Sequence, residues 1–565
     1  MDSRRSDFHR RLRARGFELK GTLTGAAAYE GPLNFRGGEV PVRIDIVDWD
    51  FVSAPEIRLL ERPDALKGYR PHLGRGSLVC YLDRESVYMD PYDPAGVIER
   101  CLDEAAATLE EIAGGKHRLD LHDEFLAHWR EASAVPLMLW GESESVKRTL
   151  ACLPVDFRHY SGTFVVTDDP ARTTEVLRKV GGTVRAADKD AVVEFTTEKA
   201  PAIDPDTWPP KRLAEILEWL HAWDPALEHA FRGRLESRWA IERNHFMALF
   251  RTPSGHFGLD FHVTYADARE EKYYAKRPPE RRQYILVKKN PAVSRFEVSN
   301  LSPRHLHARN TPAHATLFGK KIVLIGAGTI GGYLGTYLAR LGAGHEGGVL
   351  KVYDTQALGP ENIGRHVLSL GHVYRNKAEA VVDFIGAEFP YLKVLAYPID
   401  ARRSSGLLDA DLVIDATGST AFSSWLNREH LGILRSEKKV PPIVYTWVEG
   451  PGDAARCLLV DSSKYMCFDC LLLRHADRPP DDRFPVSTRG PAEGRERPGG
   501  CSTYMPFAVS ASATAAALAA DTVRDWASGD PHPRLRARRL NIQRTVGRED
   551  ASPKPLTTCP ACRRS

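Results

Sequence analysis

Lys321-Ile322-Val323-Leu324-Ile325-Gly326-Ala327-Gly328-Thr329-Ile330-Gly331 decides the fold of the C-terminal half of this chain. A run of branched apolar residues without polar alternation suits a strand covered on both faces. Gly326, Gly328 and Gly331 then open a helix whose free backbone amides attract phosphate. Working outward, Val349-Leu350-Lys351-Val352-Tyr353 reads as a second such strand and ends at Asp354; Asp411–Asp415 and Pro442–Thr446 supply two more. Apolar strands alternating with helices imply a parallel, doubly wound α/β sheet over residues 311–565. Asp354 stands where a ribose hydroxyl is held. Taken alone, the glycine fingerprint is shared with NAD-binding folds.

A dehydrogenase has no use for the polar residues that come after Asp354. Glu361-Asn362-Ile363-Gly364-Arg365 is an NxxR element, Lys377 lies twelve residues beyond Arg365, and Asp415-Ala416-Thr417-Gly418 ends a later strand. Arg365 and Lys377 suit a triphosphate attacked at its α-phosphate, where cations neutralise developing charge, and Asp415 can hold Mg2+. The plainer reading makes the two cations surface residues and Asp415 a strand-end cap. Their order and spacing together favour ATP.

These elements resemble the ThiF/MoeB/ubiquitin-activating (E1) superfamily, over about 250 residues from Phe318 to the C-terminus. The resemblance implies a Rossmann-like adenylation domain with Asp354 at the ribose, Asn362 and Arg365 along the ATP phosphates, Lys377 on phosphate and Mg2+ on Asp415. His366 stands where many relatives carry Gln. Relatives often receive an arginine from a dimer partner, a role that Arg304 or Arg309 would fill here.

Cys467-Phe468-Asp469-Cys470 and Cys559-Pro560-Ala561-Cys562 are two CxxC pairs. Either pair alone could be a redox dithiol; together they suit one closed, tetrahedral, structural Zn2+ site. The resemblance supports zinc. Cys501 lies after Pro479, Pro480, Pro485, Pro491 and Pro498, in a loop expected to lack regular structure and to move. A mobile thiol there, with Arg489, Arg495 and Arg497 favouring its thiolate, can take an acyl group from an acyl-adenylate. A free surface cysteine is the plainer alternative. In thioester-forming activating enzymes the catalytic cysteine occupies a comparable crossover loop.

The N-terminal region, residues 1–132, alternates strand-like runs such as Val40–Val47 with turns. It closes on a helix over 94–113, with Asp93 as N-cap, Pro94 in the first turn and Gly114-Gly115 as the stop. Tyr69-Arg70-Pro71-His72-Leu73-Gly74-Arg75-Gly76-Ser77-Leu78-Val79-Cys80, followed by Tyr88-Met89-Asp90-Pro91 and that helix, resembles a ubiquitin-conjugating (E2) core. The resemblance implies that Cys80 is a thioester cysteine. His72 stands where that family carries the Asn that donates to the oxyanion. A histidine can donate too, with a pH-dependent charge. The alternative for Cys80 is a buried strand cysteine, which is also the reading for Cys101. Residues 133–310 mix strands and helices, with a core helix over Ile216–Trp223, and form a connecting or docking domain.

The expected fold class is therefore α/β and α+β multidomain: an E2-like domain at 1–132, a connecting domain at 133–310 and an adenylation domain with structural zinc at 311–565. A net charge of +4 over 565 residues does not argue for direct nucleic-acid binding. No apolar run approaches the ~18 residues of a membrane span, and no signal peptide is apparent. Nine cysteines, four of them in CxxC pairs, suit a reducing cytoplasm. The order of domains resembles the bacterial E2–E1 fusion of type II CBASS anti-phage systems. That resemblance implies activation of the C-terminus of a cGAS-like nucleotidyltransferase, a thioester on Cys501, transfer to Cys80 and ligation to a target lysine, in a homodimer. Two other readings stay open: a sulfur-carrier adenylyltransferase with an adaptor N-terminal half, and an NAD-binding, zinc-stabilised scaffold.

Overall fold

The computed structural model describes residues 3–23, 26–82, 89–115, 125–129, 137–141, 147–186, 188–236, 245–276, 278, 287–311, 315–436, 439–478, 480–489, 496–499, 502–529 and 532–563. They build three large sheets and two two-stranded ones. The first is an antiparallel meander of β1 (Glu18–Leu23), β2 (Ala26–Phe35), β3 (Gly38–Ile46) and β4 (Glu56–Leu59). Alternating apolar residues on one face, Val40, Val42, Ile44 and Ile46, are buried against the helix Pro94–Ala113. That helix starts and stops as its sequence predicts: Asp93 accepts a hydrogen bond from the Gly96 amide at 2.9 Å, and Gly114 ends it. Its inner face carries Ile98, Cys101, Leu102, Ala105 and Leu109, so Cys101 is core and burial pushes its thiol pKa up. Truncating Leu109 to Ala would cost about 2–5 kcal/mol.

The middle region is more regular than its sequence suggests. Its strands are β5 (Leu137–Trp140), β6 (Lys147–Phe157), β7 (Tyr160–Thr167), β8 (Thr183–Val184), β9 (Asp188–Thr196), β10 (His245–Thr252), β11 (Gly255–His262) and β12 (Ser294–Asn300). Because β6 pairs with both β9 and β7, the order β7-β5-β12-β11-β10-β9-β6 closes into a ring, with β8 alongside β6. Closure removes sheet edges. Leu137, Leu139, Leu150, Val166, Val192, Leu249, Phe296 and Val298, drawn from six strands, form one apolar cluster. The helices Leu213–Trp223 and Pro225–Glu236 pack elsewhere on the sheet, around Trp129, Trp208, Trp219 and Phe257.

The third sheet has the order β15-β14-β13-β16-β17-β18 and then the strand Leu535–Arg539. Its members are β13 (Lys321–Ile325), β14 (Val349–Tyr353), β15 (Val394–Tyr397), β16 (Leu412–Asp415), β17 (Ile443–Glu449) and β18 (Ala454–Val460). The first five are parallel, as their uninterrupted apolar runs require, and the last two pairings are antiparallel. The strand order reverses beside β13, which puts a crevice at the carboxyl ends of β13, β14 and β16. The middle region joins this domain where Trp140 meets the edge of Tyr391 at 5.5 Å, and it joins the first where the Tyr69 amide donates to the Pro205 carbonyl at 3.0 Å. No helix among the described residues is long and apolar enough to cross a membrane.

Candidate active site

The glycine loop is shaped by sterics. Gly326 has φ +89°, and a Cβ there would press on the Ala416–Thr417 backbone at 3.0 Å. A Cβ on Gly331 would lie 1.8 Å from the Gly326 carbonyl oxygen, so the helix Thr329–Arg340 packs directly on the turn. At Gly328 a Cβ would meet nothing within 4 Å. The open side of the loop faces a cavity of about 510 Å3, a size that suits a nucleotide. Gly326, Gly328, Asp354, Gln356, Asp400, Arg402, Thr417, Ser419, Phe422 and Trp425 are among its walls.

Asp354 has two partners. Its Oδ2 accepts from the Ala327 amide and its Oδ1 from the Gln356 amide, both at 2.8 Å. The carboxylate thus ties the end of β14 to the glycine loop at the cavity wall. Lys377 is buried, and its ammonium donates to Gln356 Oε1 at 2.8 Å. It therefore reaches the cavity wall through Gln356. Asn376 caps the helix Lys377–Glu388, its side-chain oxygen accepting from the amides of Ala378 and Glu379.

Asn362 closes a short turn by accepting from the Gly359 amide at 3.1 Å. Neither it nor Arg365 lines the cavity itself. Arg365 instead donates to the Met505 carbonyl at 3.1 Å and lies 4.4 Å over the Phe507 ring. His366, beside it, is a brace. Its Nδ1 accepts the Leu368 amide, so its Nε2–H donates to the Ala327 carbonyl at 2.9 Å, and burial holds its pKa down. It supports the glycine loop from beneath as a neutral ring.

Asp415 is fully buried one residue before the loop that lines the cavity. Its carboxylate accepts from Thr417 Oγ1 at 2.7 Å, the Thr417 amide at 2.9 Å and Ser423 Oγ at 2.6 Å. Burial raises its pKa while these bonds oppose the rise. Its oxygens have the hardness Mg2+ prefers, and coordination would compete with the Thr417 hydroxyl.

The four sulfurs of Cys467, Cys470, Cys559 and Cys562 converge with neighbouring separations of 3.5–3.8 Å. That spacing matches a tetrahedron of thiolates around Zn2+ at about 2.3 Å. Asn427 donates to Cys467 Sγ at 3.4 Å and to Asp469 Oδ2 at 2.8 Å, and the Leu556 amide donates to Cys470 Sγ at 3.3 Å. The donors fit a metal, which would pin the C-terminal tail to the helix Thr420–Arg435.

Cys501 and Arg495 lie outside the described residues. The flanking strands Glu496–Gly499 and Ser502–Tyr504 pair antiparallel, so this part of the loop is more regular than its prolines suggest. Both ends of the loop are anchored. At the entry, Glu449 Oε1 accepts the amides of Val486 and Ser487, Arg456 pairs with Glu449 and Asp482, and Arg489 pairs with Asp453 at 3.3 Å. Arg489 is thus held at the loop root. At the exit stands the Arg365 contact.

Cys80 is exposed, unlike a core strand cysteine. Its amide donates to the His72 carbonyl at 2.8 Å, and the Gly74 amide to the Leu78 carbonyl at 2.8 Å, closing residues 72–80 into a loop. His72 sits at φ +58°, a left-handed conformation that Asn and His tolerate better than most residues. Tyr88 lies outside the described residues. Arg304, the candidate for donation to a partner, forms a two-point ion pair with Glu346.

The sequence did not single out Gln356, Arg402, Phe422 or Trp425. Gln356 and Arg402 follow the carboxyl ends of β14 and β15, and Phe422 and Trp425 lie in the first two turns of the helix after β16, so position relative to the parallel strands is the signal that could have found them.

A glycine-loop α/β domain with four clustered cysteines, behind a small α+β domain presenting one exposed cysteine, defines an E2–E1 fusion enzyme. The ThiF family matches residues 303–561, and the prokaryotic E2 family B matches residues 13–137. An "ATP-dependent ubiquitin transferase-like protein Cap2" of Pseudomonas aeruginosa is 32% identical over 550 residues, 97% of this chain and 94% of its own. Proteins of the same description from Vibrio cholerae and Escherichia coli are 25% and 24% identical, covering 88% and 85% of this chain and 87% and 84% of their own. A solved structure of E. coli MccB with ATP matches at 16% identity over 53% of this chain and 86% of that one, with a TM-score of 0.33, too low to add to the fold. This chain belongs to the Cap2 family of ATP-dependent ubiquitin transferase-like proteins.

Proposed function

We propose that this enzyme activates the C-terminus of a cGAS-like nucleotidyltransferase in the cytoplasm and ligates it to a lysine amine in anti-phage defence of the type II CBASS kind. A carboxylate oxygen of the partner attacks the ATP α-phosphate and expels pyrophosphate, giving an acyl-adenylate. Arg365 and Lys377 offset the developing charge, Asp354 holds the ribose, and Asn362 orients the phosphate-side loop. Mg2+ on Asp415 would neutralise phosphate charge. The Cys501 thiolate attacks the acyl carbon and expels AMP. The Cys80 thiolate then attacks that thioester and releases Cys501. Finally a lysine amine attacks, loses a proton and expels the Cys80 thiolate, with the His72 side of the loop beside the oxyanion. Zn2+ on the four cysteines is structural, and the enzyme works as a homodimer.

This reading rests on one contact above the others. Arg365, in the loop that braces the glycine turn, grips Met505 and Phe507, a few residues past Cys501. On this reading Arg365 serves both the nucleotide chemistry and the cysteine loop. A Cys80→Lys variant, which converts a labile thioester into a stable isopeptide, tests the proposal. It is incubated with host lysate with and without ATP and resolved by denaturing gel and mass spectrometry. An ATP-dependent adduct on the introduced lysine, ending in the partner's C-terminal residue, is the expected result. An adduct only on a Cys501→Lys variant would reduce the enzyme to simple activation.

A further inference from the structure

The closed ring of the middle region carries a second convergence of metal-binding side chains, remote in function from adenylation and thioester transfer. In the β10–β11 hairpin, His245 directly opposes His262, and Asp260 lies two residues earlier on β11, hence on the same face as His262. Phe246 and Phe261, pointing the other way, are 2% exposed and stack at 5.2 Å, which anchors the hairpin beneath the three polar residues. Eight consecutive cross-strand pairs, from His245 with His262 to Thr252 with Gly255, fix the register.

The two imidazoles lie parallel, 4.1 Å apart. Asp260 Oδ2 is 3.1 Å from His245 Nε2 and 4.0 Å from His262 Nε2. One ligand atom from each of the three lies within 4.8 Å of the others. Two imidazole nitrogens and one carboxylate oxygen form a donor set that suits borderline divalent ions of the first transition row, with positions left over for water. It suits Mg2+ and Ca2+ poorly, because they prefer all-oxygen shells. The side chains of His245 and His262 are 40% and 70% exposed, so an ion can enter from solvent.

We propose that His245, Asp260 and His262 form a second transition-metal site, for Zn2+ or an ion of its class, that staples the open end of the β10–β11 hairpin independently of the four-cysteine cluster. Bound metal there would stabilise the middle region and leave adenylation untouched.

The test is metal stoichiometry on the full, untagged chain. The protein is equilibrated with ZnCl2 by dialysis, and zinc per chain is measured by mass spectrometry, with thermal melting in parallel. Wild type should hold two equivalents. His262→Gln and, separately, Asp260→Asn should hold one, with affinity at the hairpin reduced at least about tenfold. Cys559→Ser should lose the other equivalent and keep the hairpin one. Circular dichroism identical to wild type checks that His262→Gln, a change at an exposed position, leaves the fold intact. One equivalent in wild type, or two retained in both hairpin variants, overturns the proposal.

Discussion

Cys80 and the nucleotide cavity are positioned by opposite means. The Cys80 loop is local: His72 and Cys80 are joined by a backbone hydrogen bond across eight residues, and the thiol faces solvent. The cavity is assembled from residues spread between Ile325 and Trp425, with Lys377 and Asp415 buried around it. The difference follows from what each site must meet. In the proposed reaction a bulky acceptor has to reach an exposed thiol, whereas charge on a phosphate is best stabilised by fixed groups sheltered from water. The local site should tolerate changes elsewhere in the fold, and the assembled one should not.

The sharpest separation of the two regions is Cys80→Ala. Ligation should be abolished while ATP–pyrophosphate exchange continues at the wild-type rate; a loss of exchange would mean that the two sites are not separable. Arg365→Ala tests the phosphate role proposed for Arg365 together with its grip on the exit of the Cys501 loop. It should lower exchange by about a hundredfold or more and also loosen the loop exit at Met505–Phe507, read as faster limited proteolysis between Val486 and Phe507. Slower exchange with unchanged proteolysis would detach Arg365 from the loop.

Stability separates the regions further. Cys559→Ser, or chelation of the zinc proposed for the four cysteines, should destabilise the adenylation domain by on the order of 3 kcal/mol and leave the melting of the E2-like domain unchanged. Protonation provides a milder probe. Burial lowers the pKa of His430 to about 4. The unfolded chain binds this proton near 6.5, the folded chain only near 4. The contribution is therefore intact above about pH 6.5 and is lost as pH falls towards 4, by about 3 kcal/mol in all. A His430→Phe variant should flatten that part of the stability–pH curve for the adenylation domain. The smallest effect belongs to His366→Gln. A carboxamide can still donate to the Ala327 carbonyl, so exchange should stay within about threefold of wild type, equivalent to less than about 1 kcal/mol; a collapse of exchange would require His366 to do more than brace the glycine loop.

Much of this was legible in the sequence because it is written in short-range patterns. The strand–glycine–helix unit at 321–340, the capped helix after Asp93 and the two CxxC pairs each follow from neighbouring residues. The closed ring of the middle region was not legible. Its pairings join β5 to β12 and β10 to β9 across long separations, and no local periodicity records which strand lies beside which. The loop before Cys501 misled for a related reason. Its prolines disfavour regular structure locally, yet Glu449, Arg456 and Asp453 anchor one end from far away in the chain.

By itself, then, the sequence determined the class of the two end domains, the glycine turn, the sulfur donors and the two candidate thiols, because backbone sterics and residue chemistry act between near neighbours. Only the tertiary structure decided that Arg365 rests on the cysteine loop, that Lys377 meets the cavity through Gln356, that His366 props the glycine turn and that His245, Asp260 and His262 share one face. Those relations depend on strand order and register, which arise when distant apolar surfaces find each other and are buried together.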